Sequence, residues 1–104
     1  MAKVKIHRLA DGNYMRFHRD ARIHEQGQKA EALFKAGGHV QLVEFEIELT
    51  GQLAAEEVFD LFNNPARFEE SLEYAVVPDF CTGDIAEVDG VKFVCCSIGW
   101  HEFN

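Results

Sequence analysis

The dipeptide Asp89-Gly90, set between two apolar, β-branched runs, constrains the fold of this chain more than any other feature. Gly83-Asp84-Ile85-Ala86-Glu87-Val88 precedes it, and Val91-Lys92-Phe93-Val94-Cys95 follows. A two-residue connection whose twist matches its strands needs positive φ at both positions, and Asp-Gly accepts that geometry. The spacing predicts a β-hairpin, closed by the aromatic run Gly99-Trp100-His101-Glu102-Phe103. The hairpin carries no catalytic motif.

Upstream, periodicity assigns most of the remaining elements. Val4 and Ile6 alternate with Lys3, Lys5 and His7, the pattern of a half-buried strand over Lys3 to Leu9. Asp11-Gly12-Asn13 has turn chemistry, and Tyr14 to Phe17 reads as a second short strand. Ala21 to Ala36 is rich in helix formers and stops at Gly37-Gly38, although Gly27 weakens the first turn. From Val40 the period returns to two: Val43, Phe45, Ile47 and Leu49 face one way, Glu44, Glu46 and Glu48 the other. Leu53 to Phe62 is an amphipathic helix with Ala54, Val58, Leu61 and Phe62 inward, stopped by Asn63-Asn64-Pro65. Ala66 to Tyr74 adds a helical turn, and Val76 to Cys81, with Pro78, reads as an irregular or edge segment. The expected fold is α+β: a small, mostly antiparallel sheet of about four to six strands with one or two helices packed on one face.

At 104 residues, 47% of them apolar and nine of them phenylalanine, residues 1–104 are expected to form a single domain around a packed core. No apolar run approaches the roughly 20 residues that span a bilayer, so no membrane partner is expected. Met1 to Leu9 alternates and lacks the pattern of a signal peptide. Three cysteines, an odd number, suit a reducing compartment, and together these features place the protein in the cytosol. The net charge of -8 is unevenly placed: residues 1–43 hold eight Lys/Arg against four acids, and residues 44–104 hold two against fourteen.

Three segments together, Gln41–Leu49 (QLVEFEIEL), Glu56–Pro65 (EEVFDLFNNP) and Gly83–Phe103 (GDIAEVDGVKFVCCSIGWHEF), resemble the YodL-like small proteins of phages, plasmids and conjugative elements. The residues that carry the resemblance are Phe62-Asn63, Gly83-Asp84-Ile85, Asp89-Gly90 and Gly99-Trp100; Lys5–Leu9 (KIHRL) also sits where that family places a strand. Where the family has Ser-Leu-Ser-Val before Gly-Asp, this chain has Asp79-Phe80-Cys81-Thr82. The resemblance implies an α+β fold and a mobile-element context, and brings no established activity.

Candidate functional residues are mostly acidic. On a strand, Glu44, Glu46 and Glu48 lie on one face about 6.5–7 Å apart, a spacing close to that of phosphates along one nucleic-acid strand. Such a face can imitate nucleic acid and occupy a basic groove; alternatively, Lys3 and Lys5 on a neighbouring strand neutralise it. Glu56, Glu57 and Asp60, followed by Glu69, Glu70 and Glu73, extend the acidic character. Trp100 is either a core aromatic or an exposed anchor for a partner. Arg16, Arg19 and Arg22, interleaved with Phe17 and His18, form a small basic patch, but the acidic remainder argues against direct nucleic-acid binding. The five histidines and three cysteines show no C-x-x-C, H-x-x-x-H or H-E-x-x-H spacing, so no metal and no other cofactor is expected. The adjacent Cys95 and Cys96 point to opposite faces of a strand, and His101 is the base a thiol mechanism would need.

These residues support a non-enzymatic protein that binds a host protein, most specifically an anti-defence, anti-CRISPR-like inhibitor whose acidic face occupies a basic nucleic-acid-binding surface. The expected partner is a host protein with a basic groove, a CRISPR–Cas component being one such protein. The expected contacts are Glu44, Glu46, Glu48, Glu56, Glu57, Asp60 and Trp100, and the expected state is a monomer or homodimer. Two alternatives stand beside this: an accessory module acting through a hydrophobic or edge-strand homodimer interface, and a small metal- or thiol-dependent enzyme.

Overall fold

Strand β1 (Ala2–Leu9) occupies an inner position in a sheet whose strand order is β2-β1-β3-β4-β5, with every neighbouring pair antiparallel. The computed structural model describes all residues except Pro78. Its other strands are β2 (His39–Ile47), β3 (Ile85–Val88), β4 (Val91–Cys95) and β5 (Trp100–Phe103). The helices are α1 (Asp11–Asp20), α2 (Gln26–Lys35), α3 (Gly51–Asn63) and the single turn α4 (Phe68–Ser71), with 3-10 turns at Ile23–Glu25 and Pro65–Arg67.

The hairpin forms where the turn chemistry demands it. Asp89 and Gly90 take φ of 49° and 89°, both in the left-handed region. The turn is also tied to the sheet: the Lys3 N–H donates to Asp89 Oδ1 (2.9 Å), and the Asp89 N–H donates to the Lys3 carbonyl (2.9 Å). At the end of α2, Gly37 adopts φ 80°; its N–H donates to Phe34 O, and that of Gly38 to Leu33 O, closing the helix with a Schellman pair of hydrogen bonds.

The α+β expectation holds, with five antiparallel strands, but helices cover both faces of the sheet rather than one. On the first face Val4, Ile6, Ala86, Val88, Phe93 and Cys95 pack under Ala54, Ala55 and Val58 of α3. On the second, Leu9, Ile85, Val94 and Phe103 pack under Phe17 of α1 and Ala30 of α2. Inner strands with apolar residues on both sides need two covers, because an antiparallel sheet exposes one face only where that face is polar. β1 is therefore half-buried only at its start: His7 lies buried against Phe34, their rings 4.9 Å apart and nearly perpendicular.

Residues Tyr14 to Phe17 are helical, not a strand. Asp11-Gly12-Asn13 forms the first turn of α1 instead of a β-turn: the Asn13 and Tyr14 N–H groups both donate to Ala10 O. Asp11 in the first turn and His18 and Arg19 in the last suit the helix dipole. Burial of Phe17 beside Tyr14 and Ala21 then supplies the packing that a short polar helix lacks. β2 ends at Ile47, so Leu49 is exposed rather than inward. Pro78 lies outside the described residues; its neighbours Val76, Val77 and Asp79 to Cys81 form no strand.

Two side-chain amides fasten helices to the loops that flank the strands. The Asn63 amide donates to Phe80 O (2.7 Å) and accepts from Phe80 N–H (2.8 Å), as a neighbouring strand would. Gln26 does the same for the β4–β5 turn, accepting from Ser97 N–H (2.8 Å) and donating to Ser97 Oγ (3.0 Å). Asn63→Ala strips both partners from the Phe80 backbone, and an expected loss of about 2 kcal/mol follows. Urea melts of the two proteins measure it; a change of a few tenths of a kcal/mol would show that water replaces the amide.

Candidate partner-binding surface

The strand glutamates meet lysines. In register, Lys5 lies opposite Glu44 and Lys3 opposite Glu46, and Glu48 falls beyond the end of the strand. Lys5 Nζ sits 3.8 Å from Glu44 and 4.0 Å from Glu87, which also accepts a 2.9 Å hydrogen bond from His7 Nε2. The register continues from Glu87 to Lys92, so one row across the sheet alternates Glu44, Lys5, Glu87, Lys92. In this part of the second face Lys5 counters Glu44 and Glu87, and Lys3 stands opposite Glu46 with no ion pair among the described residues.

The helical acids are arranged differently. Arg67 is gripped by three carboxylates: Glu57 in bidentate fashion (2.8 and 2.9 Å), Asp60 (2.8 Å), and Glu70 through two nitrogens (2.7 and 3.1 Å). The hydrogen bonds from Glu57 foremost, then Glu70 and Asp60, hold the guanidinium firmly protonated, and Arg67 in turn holds the Glu70 carboxyl below the usual carboxylate range. One cation among three anions leaves excess negative charge. Glu56, Glu69 and Glu73 add to it: all three are exposed and form no ion pair among the described residues. Helix α3, α4 and the turn that follows therefore carry six carboxylates and one arginine. Apolar side chains stand among them, with Leu53 and Phe68 both 63% exposed, and Leu72 and Val76 beside a cavity of about 260 Å³ that Phe68 also lines.

Trp100 has a place in both worlds. It packs half-buried on the α3 core, its ring 6.3 Å from Phe59 and perpendicular to it, and 6.2 Å from Phe80. It also lines a second cavity, of about 420 Å³, between α3 and the β4–β5 end of the sheet, together with Gln52, Glu56, Phe59 and Gly99.

Cys95 is buried in the α3 core and Cys96 packs partly exposed beside the opposite one, on opposite faces as adjacent strand residues must be. Burial pushes the Cys95 thiol up to about 12 and raises Cys81 and Cys96 as well. Thiols held above their ordinary range are protonated near neutrality and poor nucleophiles. His101 Nε2 is engaged with Glu31 Oε1 at 2.8 Å. Among the described residues no three His, Cys, Asp or Glu side chains are grouped to hold a metal ion. In the basic patch, Phe17 is buried and Arg19 pairs with Asp20 at 2.8 Å, leaving Arg16 and Arg22 exposed. No described helix is long and apolar enough to cross a membrane.

The role of Arg67 was not legible in the sequence, where it is one of two bases in an acidic half; only the packing of α4 against α3 gathers Glu57, Asp60 and Glu70 around it. Glycine 27, which as a residue type weakens a helix, proves to be the point where α2 approaches β5: a Cβ there would overlap His101 Cβ and Cγ. No family model, curated protein or solved structure matches the chain.

Proposed function

We propose that this chain is a non-enzymatic protein-binding module that presses its α3–α4 face onto a basic surface of a partner protein. The observation that carries the reading is the excess of acid on α3, α4 and the turn that follows: Arg67 meets three carboxylates, Glu57, Asp60 and Glu70, and the exposed Glu56, Glu69 and Glu73 form no ion pair among the described residues. Like charges held on one rigid face repel each other, and a cationic partner relieves that cost; the attraction also speeds encounter and weakens with salt. With the resemblance to YodL-like proteins of mobile elements, the specific form is a phage- or mobile-element-encoded inhibitor working in the host cytosol. It would occupy a nucleic-acid channel of a host defence protein in the manner of an anti-CRISPR. The strand glutamates take a smaller share than their spacing suggests, because Lys5 and Lys3 stand opposite Glu44 and Glu46.

Capture from host lysate at low and high salt tests this, with two triple variants. Glu56→Lys, Glu69→Lys and Glu73→Lys together are expected to weaken capture about tenfold or more; Glu44→Lys, Glu46→Lys and Glu48→Lys together are expected to weaken it far less. Capture that survives the helical triple, or is indifferent to salt, refutes the reading.

A hydrophobic interface is favoured by one observation of its own: the exposed Phe68, Leu72 and Val76 around the 260 Å³ cavity. It predicts salt-independent binding or a concentration-dependent size in light scattering. Edge-strand pairing has less support, since β2 carries a register irregularity opposite Ile6/His7 and exposed Glu44 and Glu46, and the opposite edge strand β5 is four residues long.

A further inference from the structure

We propose that the cavity between α3 and the start of β5 is a recognition pocket for an arginine side chain of the partner. The inference rests on the reading of the α3 face as a docking surface, and adds the chemical group it selects.

Three properties of the cavity converge on a guanidinium. Its volume, about 420 Å³, falls within the range of small-molecule and side-chain pockets. Its aromatic components are Trp100 and Phe59, whose rings meet at 89° with centroids 6.3 Å apart. Tryptophan is the strongest partner for a cation over a ring, and a planar guanidinium stacks on such a surface where an ammonium does not. Glu56, on the same wall, is an exposed carboxylate with no ion pair among the described residues, and Gln52 one turn earlier offers an amide. A carboxylate beside an aromatic ring accepts charge-assisted hydrogen bonds from the edge of a guanidinium whose flat face lies on that ring, here Trp100.

The same features exclude other occupants. An anion meets Glu56 and the excess charge of α3. A neutral apolar group would cover Glu56 and leave its charge without compensation. Burial holds both cysteines that line the cavity, Cys95 and Cys96, above the ordinary thiol range, which makes them poor nucleophiles near neutrality. Gly99 lines the cavity with φ 72°, and nothing lies within 4 Å of where its Cβ would be.

Trp100 is the single tryptophan of the chain, so its emission reports the pocket directly. The probes are N-acetyl-arginine amide, its lysine analogue, and N-acetyl-citrulline amide, a neutral near-isostere of the arginine compound. The arginine compound is expected to change Trp100 emission saturably, with a midpoint in the millimolar range typical of a single side chain. The citrulline compound should bind at least about fivefold more weakly, with lysine between them. Glu56→Gln, a change at an exposed site that leaves the fold intact, should weaken the arginine response about threefold to tenfold and leave the citrulline response unchanged. Equal responses to arginine and citrulline, no saturation with arginine, or an unaltered midpoint in Glu56→Gln would each overturn the proposal.

The broader reading is tested separately by Glu69→Lys with Glu73→Lys, which lie outside the pocket. If that pair weakens capture of the partner while arginine leaves Trp100 unmoved, the pocket is wrong and the acidic docking face stands. If arginine binds and the pair leaves capture unchanged, the pocket stands and the acidic face does not carry the interaction.

Discussion

Replacing Asp84 with alanine is expected to destabilise the protein by about 2–4 kcal/mol, the loss of two hydrogen bonds to a charged acceptor less the relief of burying it. Asp84 is 3% exposed. Its carboxylate accepts from the Leu9 N–H (3.1 Å) at the end of β1 and from the Cys81 N–H (2.8 Å) in the loop before β3. Both N–H groups lose their partner in the variant. For a domain whose total stability is on the order of 5–15 kcal/mol, that is a large fraction. Chemical denaturation measures it; a loss under about 1 kcal/mol would mean that water enters and satisfies both groups.

The same residue has a pH signature of unusual sign. Burial raises the Asp84 carboxyl above its ordinary value, against the smaller opposite pull of its two backbone donors. A carboxyl whose folded pKa exceeds its unfolded pKa binds more protons in the native state. Its contribution to stability is greatest at low pH and is lost as pH rises from the ordinary carboxylate range through the raised value. Asp20, Glu31 and Glu70 behave oppositely: hydrogen bonds from Arg19, from Lys35 and His101, and from Arg67 lower them, so their stabilisation is lost as pH falls. The stability advantage of the native protein over Asp84→Asn should therefore shrink as pH rises through that window. An advantage that grows with pH would show that the two N–H donors outweigh burial.

The second large effect is expected at the preceding residue. Gly83→Ala should cost about 3 kcal/mol, combining a left-handed backbone at roughly 1–2 kcal/mol with overpacking of similar size. Gly83 has φ 95°, and a Cβ there would lie 2.6 Å from Leu9 Cδ1 and 2.8 Å from Phe17 Cε1. Both neighbours belong to the core under α1 and α2, and Gly83 O additionally accepts from His39 Nε2 at 2.9 Å. Gly90→Ala is the internal comparison: its φ is 89°, but nothing lies within 4 Å, so only the backbone penalty of about 1–2 kcal/mol remains. Equal losses at the two sites, read from thermal and urea melts, would show that Leu9 and Phe17 yield without cost.

These two residues also show the reach of the sequence. Gly83-Asp84-Ile85 precedes the hairpin in the sequence, yet nothing local marks the aspartate as buried or the glycine as pressed against β1 and α1. Asn63 is similar: its place beside Phe62 and before Pro65 reads as a helix stop, while its clamp on Phe80 spans 17 residues. In the candidate site, the sequence supplied the acids and Trp100. Register set lysines opposite the strand glutamates, and the packing of α4 on α3 left one arginine among the helical acids.

What the sequence determined by itself was whatever depends on a few adjacent residues. The period of two made β1 and β2, the positive φ of Asp89-Gly90 made the hairpin, and Gly37-Gly38 ended α2, because backbone sterics and side-chain alternation act over short range. The tertiary structure alone decided the rest. It made Tyr14 to Phe17 helical by burying Phe17, put helices on both faces of the sheet, and set Lys3 and Lys5 against the strand glutamates. It also drew three carboxylates onto Arg67 and opened a cavity between Glu56 and Trp100. The physical reason is that burial and charge pairing are fixed by residues distant in the chain, as with His7 and Glu87, 80 positions apart and joined at 2.9 Å.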